Sequence, residues 1–178
     1  MSHYILIDSI IRFMKSIKIL IFSLLIVFGQ NIFAAHPAKK QLLSPQKTLE
    51  VLEGIKQYAI VFGEGKKEIH TFIDPYCSVS KRYLKFVFQK QNVMFKKYKM
   101  YFYLYELPRK KSLLMIQNII DSEYPNTMLK SSMVNEDELI LEEIDEEDVD
   151  TIIEQISIAA EKIGVFKRPY IIINGKVK

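Results

Sequence analysis

The segment FIDPYCSVSKRYLKF, residues 72–86, combines a β-rich start, a break and a helical pattern. Its β-rich start is broken by Asp74 and Pro75, and helical spacing begins immediately afterwards. Cys77 is therefore predicted to lie at the N-terminus of a helix that is entered from a strand. The stripe of this helix that is predicted to face the core consists of Val79, Tyr83, Phe86, Val87 and Lys90.

Two β-rich runs lie before this point, at residues 58–62 and 68–73, and the connection between them contains Gly63 and Gly65. Runs of β-branched and aromatic residues separated by a short glycine-containing turn are typical of a β-hairpin. We therefore predict that these two strands pair with each other. A helix is predicted before them, from a Ser44 N-cap to about residue 58, with proline at its first position.

Strands and helices also alternate after this helix. The aromatic run at residues 100–107 predicts a strand that is covered on both faces. Helical spacing predicts helices over residues 112–120 and 149–163. A last strand at 170–173 leads into Asn174–Gly175, a pair that is typical of a tight hairpin turn. This order predicts an α/β fold with some parallel strand pairing.

The composition excludes several classes of protein. A length of 178 residues predicts about one domain, and the single cysteine excludes an internal disulfide framework, a cysteine-rich zinc module and an iron–sulfur cluster. The three histidines show no metal-ligand spacing, so neither a metal nor another cofactor is predicted. A net charge of +4 without a recognisable binding motif gives no reason to expect a nucleic-acid partner.

Charge is segregated along the chain. Residues 81–111 contain ten Lys or Arg and one Glu, whereas residues 136–150 contain ten Asp or Glu and no basic residue. Both runs are typical of solvated surface. The alternative is a dipolar surface that orients a partner.

The first 34 residues are predicted to be a secretory signal peptide. The apolar run ILIFSLLIVF, residues 19–28, follows two lysines, and cleavage is expected after Ala34. Met14 is the alternative translation start. The run is shorter than the roughly 20 residues that a spanning helix needs, so a periplasmic protein is expected. The alternative is a membrane anchor formed by residues 19–35, with the domain facing the periplasm.

Residues 35–44 form a predicted tether, and residues 45–178 form a domain that resembles a known family. FIDPYCSVSKRYLKF is similar to the active-site segment of the periplasmic disulfide isomerases of the DsbC/DsbG type. KRPYIIINGK, residues 167–176, is similar to their cis-proline loop and following strand, and YAIVFGEGKKEIHTFID, residues 58–74, to the entry of their catalytic domain. The resemblance implies a thioredoxin-like fold, with a central mixed sheet flanked by helices.

The resemblance also assigns roles to individual residues. It places Cys77 at the nucleophilic position of a Cys-x-x-Cys motif, Ser80 at the position of the second cysteine, and Pro169 at that of the cis-proline that holds a bound peptide. Besides Ser80, two features depart from the family. Arg168 stands where a small or β-branched residue is usual, and the chain stops at Lys178, so the last helix of the fold is expected to be missing.

The chemistry of a helix N-terminus supports a reactive thiol at Cys77. Exposed N–H groups and the helix dipole stabilise a thiolate there, and Lys81 and Arg168 are expected to add positive charge. Asp74 is expected to form the turn at the end of the strand, with a role in acid–base chemistry as the alternative. His70, on the strand that leads to the site, is expected to be an ordinary sheet residue.

We therefore expect an exported protein of the disulfide-isomerase group that acts on client disulfides through Cys77 as a monothiol, because Ser80 cannot resolve a mixed disulfide. Its expected partners are client proteins with disulfides or extended peptide segments, and a redox partner that recharges the thiol. One alternative is a redox-inactive peptide- or protein-binding module of the cell envelope. Another is a homodimer linked through Cys77.

Overall fold

The structure, a computed structural model, describes residues 43–178. Within this range the helices are α1 (Pro45–Ile55), α2 (Ser78–Gln89), α3 (Gln91–Lys97), α4 (Leu113–Asp121), α5 (Pro125–Lys130) and α6 (Glu147–Ile163). The strands are β1 (Ile60–Phe62), β2 (Lys67–Ile73), β3 (Tyr98–Leu104), β4 (Tyr170–Ile173) and β5 (Lys176–Val177). A short 3-10 helix (Lys56–Tyr58) follows α1, and a π-helical segment (Ser131–Asn135) follows α5.

The five strands form one mixed sheet in the order β1-β3-β2-β4-β5. The central pair, β2 and β3, is parallel, and every other pairing is antiparallel. The predicted Asn174–Gly175 turn joins β4 to β5, and both of its residues have positive φ, as a tight hairpin turn requires. The predicted α/β class with a mixed sheet is confirmed.

The hairpin predicted between β1 and β2 is wrong, because β3 lies between these two strands and pairs with both. The two glycines serve a different purpose from the one predicted. A Cβ atom at Gly65 would overlap the carbonyl carbon of Lys97, and one at Gly63 would overlap the carbonyl oxygen of Tyr98. The connection therefore passes directly over the backbone that leads into β3, and only glycine allows so close an approach.

The strand β3 is buried on both faces, as predicted. Tyr101 and Tyr103 point into a core that the sheet forms with α1 and α6, whereas Met100, Phe102 and Leu104 point into a second core beneath α2, α4 and α5. Because successive side chains of a strand face opposite sides, an unbroken apolar run fills both layers at once. The sheet is thus flanked by helices on both faces.

The predicted stripe of α2 is only partly correct. Val79 and Phe86 are exposed, and the buried residues of this helix are instead Ser80, Leu84, Val87 and Phe88. These positions follow an i, i+4, i+7, i+8 spacing, which turns the helix so that Ser80 faces inward. The predicted Ser44 cap is confirmed, since its hydroxyl accepts a hydrogen bond from the Lys47 amide at 3.4 Å.

The predicted signal peptide, and all but the end of the predicted tether, lie outside the described residues. Within residues 43–178, none of the helices combines the length and the apolar character that crossing a membrane requires.

Candidate functional site

Cys77 stands where β2 ends and α2 begins, as predicted. It is the N-cap residue of α2, with extended backbone dihedrals, and its carbonyl accepts the first hydrogen bond of the helix from the Lys81 amide at 3.0 Å. Its own N–H donates to the Asp74 carbonyl at 3.0 Å, which closes the turn through Pro75 and Tyr76. The residue is only 6% exposed. Cys77 is therefore buried at the start of α2, where its side chain makes no capping hydrogen bond to the helix amides.

The two segments that carried the sequence resemblance meet at this thiol. Cys77 Sγ lies 3.8 Å from the carbonyl oxygen of Arg168, to which it donates its hydrogen. The next peptide bond, between Arg168 and Pro169, is cis. Pro169 is half-buried and leads directly into β4. The loop before β4 thus forms one wall of the thiol site.

The Arg168 side chain turns from the thiol towards the end of β3. Its Nε donates to the Tyr105 carbonyl at 2.9 Å, its Nη2 to the Glu106 carbonyl at 3.1 Å, and its Nη1 to the carbonyl of Lys167 at 3.0 Å. The guanidinium also stacks on the Tyr105 ring, 3.8 Å from its centroid. Arg168 therefore connects the Pro169 loop to the segment that follows β3, a role that sequence reasoning did not anticipate.

Arg168 is a buried cation, and several groups of the site affect its pKa. Burial of the guanidinium lowers this pKa. The negative charges that Tyr105, Asp74 and Cys77 carry when they are ionised act to raise it. The net shift of the Arg168 pKa is downward, so burial outweighs these charges.

Asp74 is fully buried and does more than form the predicted turn. One carboxylate oxygen accepts a hydrogen bond from the Tyr76 amide at 2.7 Å, as in an Asx turn. The other accepts from the Leu107 amide and, at 3.0 Å, from the Ser112 hydroxyl. Asp74 thus connects the Cys77 turn to residues 107–112. Neither Leu107 nor Ser112 carried a signal in the sequence, because these contacts join residues far apart in the chain.

Ser80 lies on the inner side of α2 and is fully buried. Its hydroxyl accepts a hydrogen bond from the Asp74 amide at 3.4 Å. Lys81, by contrast, lies in a shallow surface groove with Arg82 and Lys85. The structure therefore brings Cys77, Ser80, Asp74, Arg168 and Pro169 together, and Lys81 borders this group on the solvent side.

His70 is a buried sheet residue, as predicted, but it belongs to a polar network. Its Nδ1 lies 3.0 Å from the hydroxyl of Tyr103, its Nε2 lies 3.4 Å from Glu68 Oε2, and its ring stacks on Tyr101. Glu68 in turn pairs with Lys56 at 2.9 Å. Burial lowers the pKa of His70, although the charge and hydrogen bond of Glu68 oppose this effect. Burial raises the pKa of Glu68, but hydrogen bonds from Lys56 and Tyr101 outweigh it and the net shift is downward.

Comparisons with known proteins identify the fold. No protein-family model matches the sequence, and no curated protein is similar to it. Solved structures do match. The catalytic domain of Proteus mirabilis ScsC has a TM-score of 0.54 and 11% identity, over 75% of this chain and 88% of that one.

Two further structures agree with this match. Helicobacter pylori DsbG has a TM-score of 0.54 and 16% identity, over 72% of this chain and 61% of that one. A thioredoxin-like oxidoreductase from Silicibacter pomeroyi has a TM-score of 0.55 and 13% identity, over 72% of this chain and 86% of that one. The predicted thioredoxin-like fold is therefore confirmed, and its structural neighbours are Dsb-type oxidoreductases.

Proposed function

We propose that this thioredoxin-like chain exchanges disulfide bonds in client proteins, with Cys77 as its single reactive thiol. The observation that carries the proposal is the position of Cys77 Sγ, at the start of α2 and 3.8 Å from the Arg168 carbonyl. Amide groups at a helix N-terminus stabilise a thiolate, and the thiolate is the nucleophile in disulfide exchange. The fold of the Dsb-type neighbours supports the same chemistry.

The reaction needs no second cysteine in this chain. The Cys77 thiolate attacks one sulfur of a client disulfide, so that the client S–S bond breaks, a mixed disulfide forms and a client thiolate leaves. Another client thiolate then attacks the client sulfur of the mixed disulfide. A new client disulfide forms, and the Cys77 thiolate is released. Electrons balance within the client, so the cycle is an isomerisation, and a redox partner is required only if the mixed disulfide becomes trapped.

The surrounding residues would assist this cycle. The positive charges of Arg168 and Lys81 would favour the thiolate. Ionisation of the thiol would require the loss of the hydrogen bond that Cys77 Sγ donates to the Arg168 carbonyl oxygen. The backbone next to Pro169 would bind an extended client segment. We further propose that residues 1–34 direct export to the periplasm, where disulfides are maintained.

Scrambled ribonuclease, which regains activity only when its disulfides are rearranged, tests this proposal. We expect the purified chain to accelerate the recovery of ribonuclease activity in a buffer that contains a catalytic amount of a small-molecule thiol. The Cys77→Ser variant should lose the acceleration and keep the same unfolding midpoint. Mass spectrometry after rapid acid quenching should show the mixed disulfide on Cys77. A wild-type chain that neither accelerates recovery nor forms an adduct would exclude the proposal.

A second candidate is a peptide-binding module without redox chemistry. It is favoured by the burial of the thiol, because buried cysteines are usually unreactive, and by the serine at position 80. Under this alternative, Cys77→Ser would bind an extended client peptide as tightly as the wild type. A dimer linked through Cys77 would appear as a reducible band of doubled mass on a non-reducing gel.

A further inference from the structure

A basic groove opens beside the thiol, on the solvent side of the α2 N-terminus. It is lined by Tyr76, Ser78, Lys81, Arg82, Lys85 and Glu136. Tyr76 and Ser78 are exposed and are the chain neighbours of Cys77 on either side. The groove therefore includes both chain neighbours of Cys77.

The groove already holds one carboxylate. Glu136, the first residue of the acidic run, has a left-handed backbone with φ of 60° and forms an ion pair with Lys85. The Asp137 amide fixes this turn by donating to the Ser131 carbonyl at 3.0 Å. The hydrogen bond and charge of Lys85, and then the charge of Lys81, lower the pKa of Glu136. Lys85 and Lys81 of α2 thus both act on a carboxylate that comes from a distant part of the chain.

The residues that line the groove carry a net positive charge. Three cations and the single carboxylate of Glu136 line the groove, so its lining retains an excess of positive charge when Glu136 is in place. Such an excess attracts anionic segments over a distance set by ionic strength, about 10 Å at 0.1 M salt. The exposed ring of Tyr76 adds an amphipathic surface at the end next to Cys77.

We propose that this groove binds an acidic peptide segment adjacent to the client disulfide, and that Glu136 occupies the groove until the client displaces it. The acidic client side chains would take the place of the Glu136 carboxylate between Lys81 and Lys85. The inference rests on the proposed disulfide exchange at Cys77 and specifies which clients react fastest.

Two synthetic peptides test this inference. Each contains one cysteine linked by a disulfide to thionitrobenzoate, followed by three glutamates in one peptide and three glutamines in the other. Attack by Cys77 forms the Cys77–peptide disulfide and releases thionitrobenzoate as the thiolate, which is followed by its absorbance. At low salt we expect the glutamate peptide to react about 3- to 10-fold faster, as a few exposed charge pairs allow. At 1 M salt, where screening acts over about 3 Å, the two rates should converge.

Three variants locate the effect. Lys85→Gln should lower the ratio of the two rates, and Glu136→Gln should raise it about 2-fold, because the internal competitor is removed. Lys90→Gln is the matched control. It removes the same charge from the C-terminal end of α2, away from the groove, and should leave the ratio unchanged.

Binding without chemistry separates this inference from the proposed function. A fluorescein-labelled glutamate peptide with serine in place of cysteine should raise its anisotropy on binding, in a salt-sensitive way that Lys85→Gln weakens. If the two disulfide peptides react at equal rates, the groove is excluded while disulfide exchange stands. If neither peptide reacts, disulfide exchange fails, and the anisotropy of the serine peptide alone supports or excludes the groove.

Discussion

Cys77 Sγ and the carbonyl oxygen of Arg168 lie 3.8 Å apart, although 91 positions separate the two residues in the chain. The same arginine directs its guanidinium the other way, to the carbonyls of Tyr105 and Glu106. Residue 168 thus faces the thiol with its backbone and the end of β3 with its side chain. A substitution at this position can loosen the wall of the site without removing the carbonyl that contacts the thiol.

We expect Arg168→Ala to lower the free energy of unfolding by about 1.5–3 kcal/mol, because charged hydrogen bonds to partly buried carbonyls are lost together with the stacking on Tyr105. Arg168→Lys should not restore the lost free energy of unfolding, since an ammonium group cannot reproduce the planar set of donors. Urea unfolding measures both variants. Arg109→Ala, at an exposed arginine, is the control, and an equal loss there would contradict the role of the guanidinium.

Ser80→Cys is expected to form an internal disulfide with Cys77 on oxidation, detected as the loss of both thiols by alkylation and mass spectrometry. Ser80 is buried on the inner side of the helix that Cys77 caps, so the new sulfur lies beneath the thiol site. Under the proposed function, the variant should also reduce insulin disulfides with dithiothreitol present. Ser132→Cys, at another buried serine, should keep two thiols. A Ser80→Cys chain without redox activity would favour the binding module.

Asp74→Asn should lower the free energy of unfolding by about 1–3 kcal/mol, because its new amide group cannot accept from donors that now point at a carboxylate oxygen. Amide hydrogen exchange should accelerate most at Leu107, which loses its acceptor. Asp121→Asn, at an exposed aspartate, should change the free energy by no more than about 0.5 kcal/mol. Unchanged exchange at Leu107 would show that Asp74 does not hold this segment.

Gly65, before β2, and Gly54, in α1, allow the same substitution to be compared in a crowded and in an open position. Gly65→Ala is expected to cost about 1–3 kcal/mol in chemical unfolding, because the added methyl group overlaps the backbone at Lys97. Gly54→Ala, in α1, meets nothing within 4 Å and should instead stabilise the chain by about 0.5–1 kcal/mol. The two substitutions should therefore change the free energy of unfolding in opposite directions. A Gly65→Ala variant as stable as the wild type would contradict the close passage over the backbone that leads into β3.

The burial of His70 predicts a pH dependence of stability. Because burial lowers the pKa of His70 in the folded chain, the unfolded chain binds more protons below its ordinary pKa of about 6.5. The free energy of unfolding should therefore be constant above that pH as far as His70 is concerned, and should fall as the pH drops towards the folded-state pKa. The difference between wild type and His70→Gln, measured by urea unfolding from pH 8 to pH 5, should shrink over this interval. A constant difference would contradict the prediction.

Local sequence signals predicted the parts of the structure that depend on local geometry. The break at Asp74–Pro75 and the helical spacing after it correctly placed Cys77 at the start of α2. Pairing between distant segments was not encoded locally. The glycines before β2 have the composition of a turn, yet their purpose appears only once β3 is inserted. For the same reason, the Asp74 contact to Leu107 and the Glu136 contact to Lys85 had no signature in the sequence.

The insertion of β3 between β1 and β2 has a consequence for synthesis. A ribosome delivers the chain from its N-terminus, so β1 and β2 emerge before β3, and neither pairs with the other. The backbone groups of both strands stay unpaired until residue 104 has emerged. The edge of β2 that pairs with β4 stays open for longer, until β4 has also emerged. Nascent chains that are arrested when the last emerged residue lies between 75 and 97 should therefore recruit holdase chaperones most strongly, because open strand edges invite pairing with other chains.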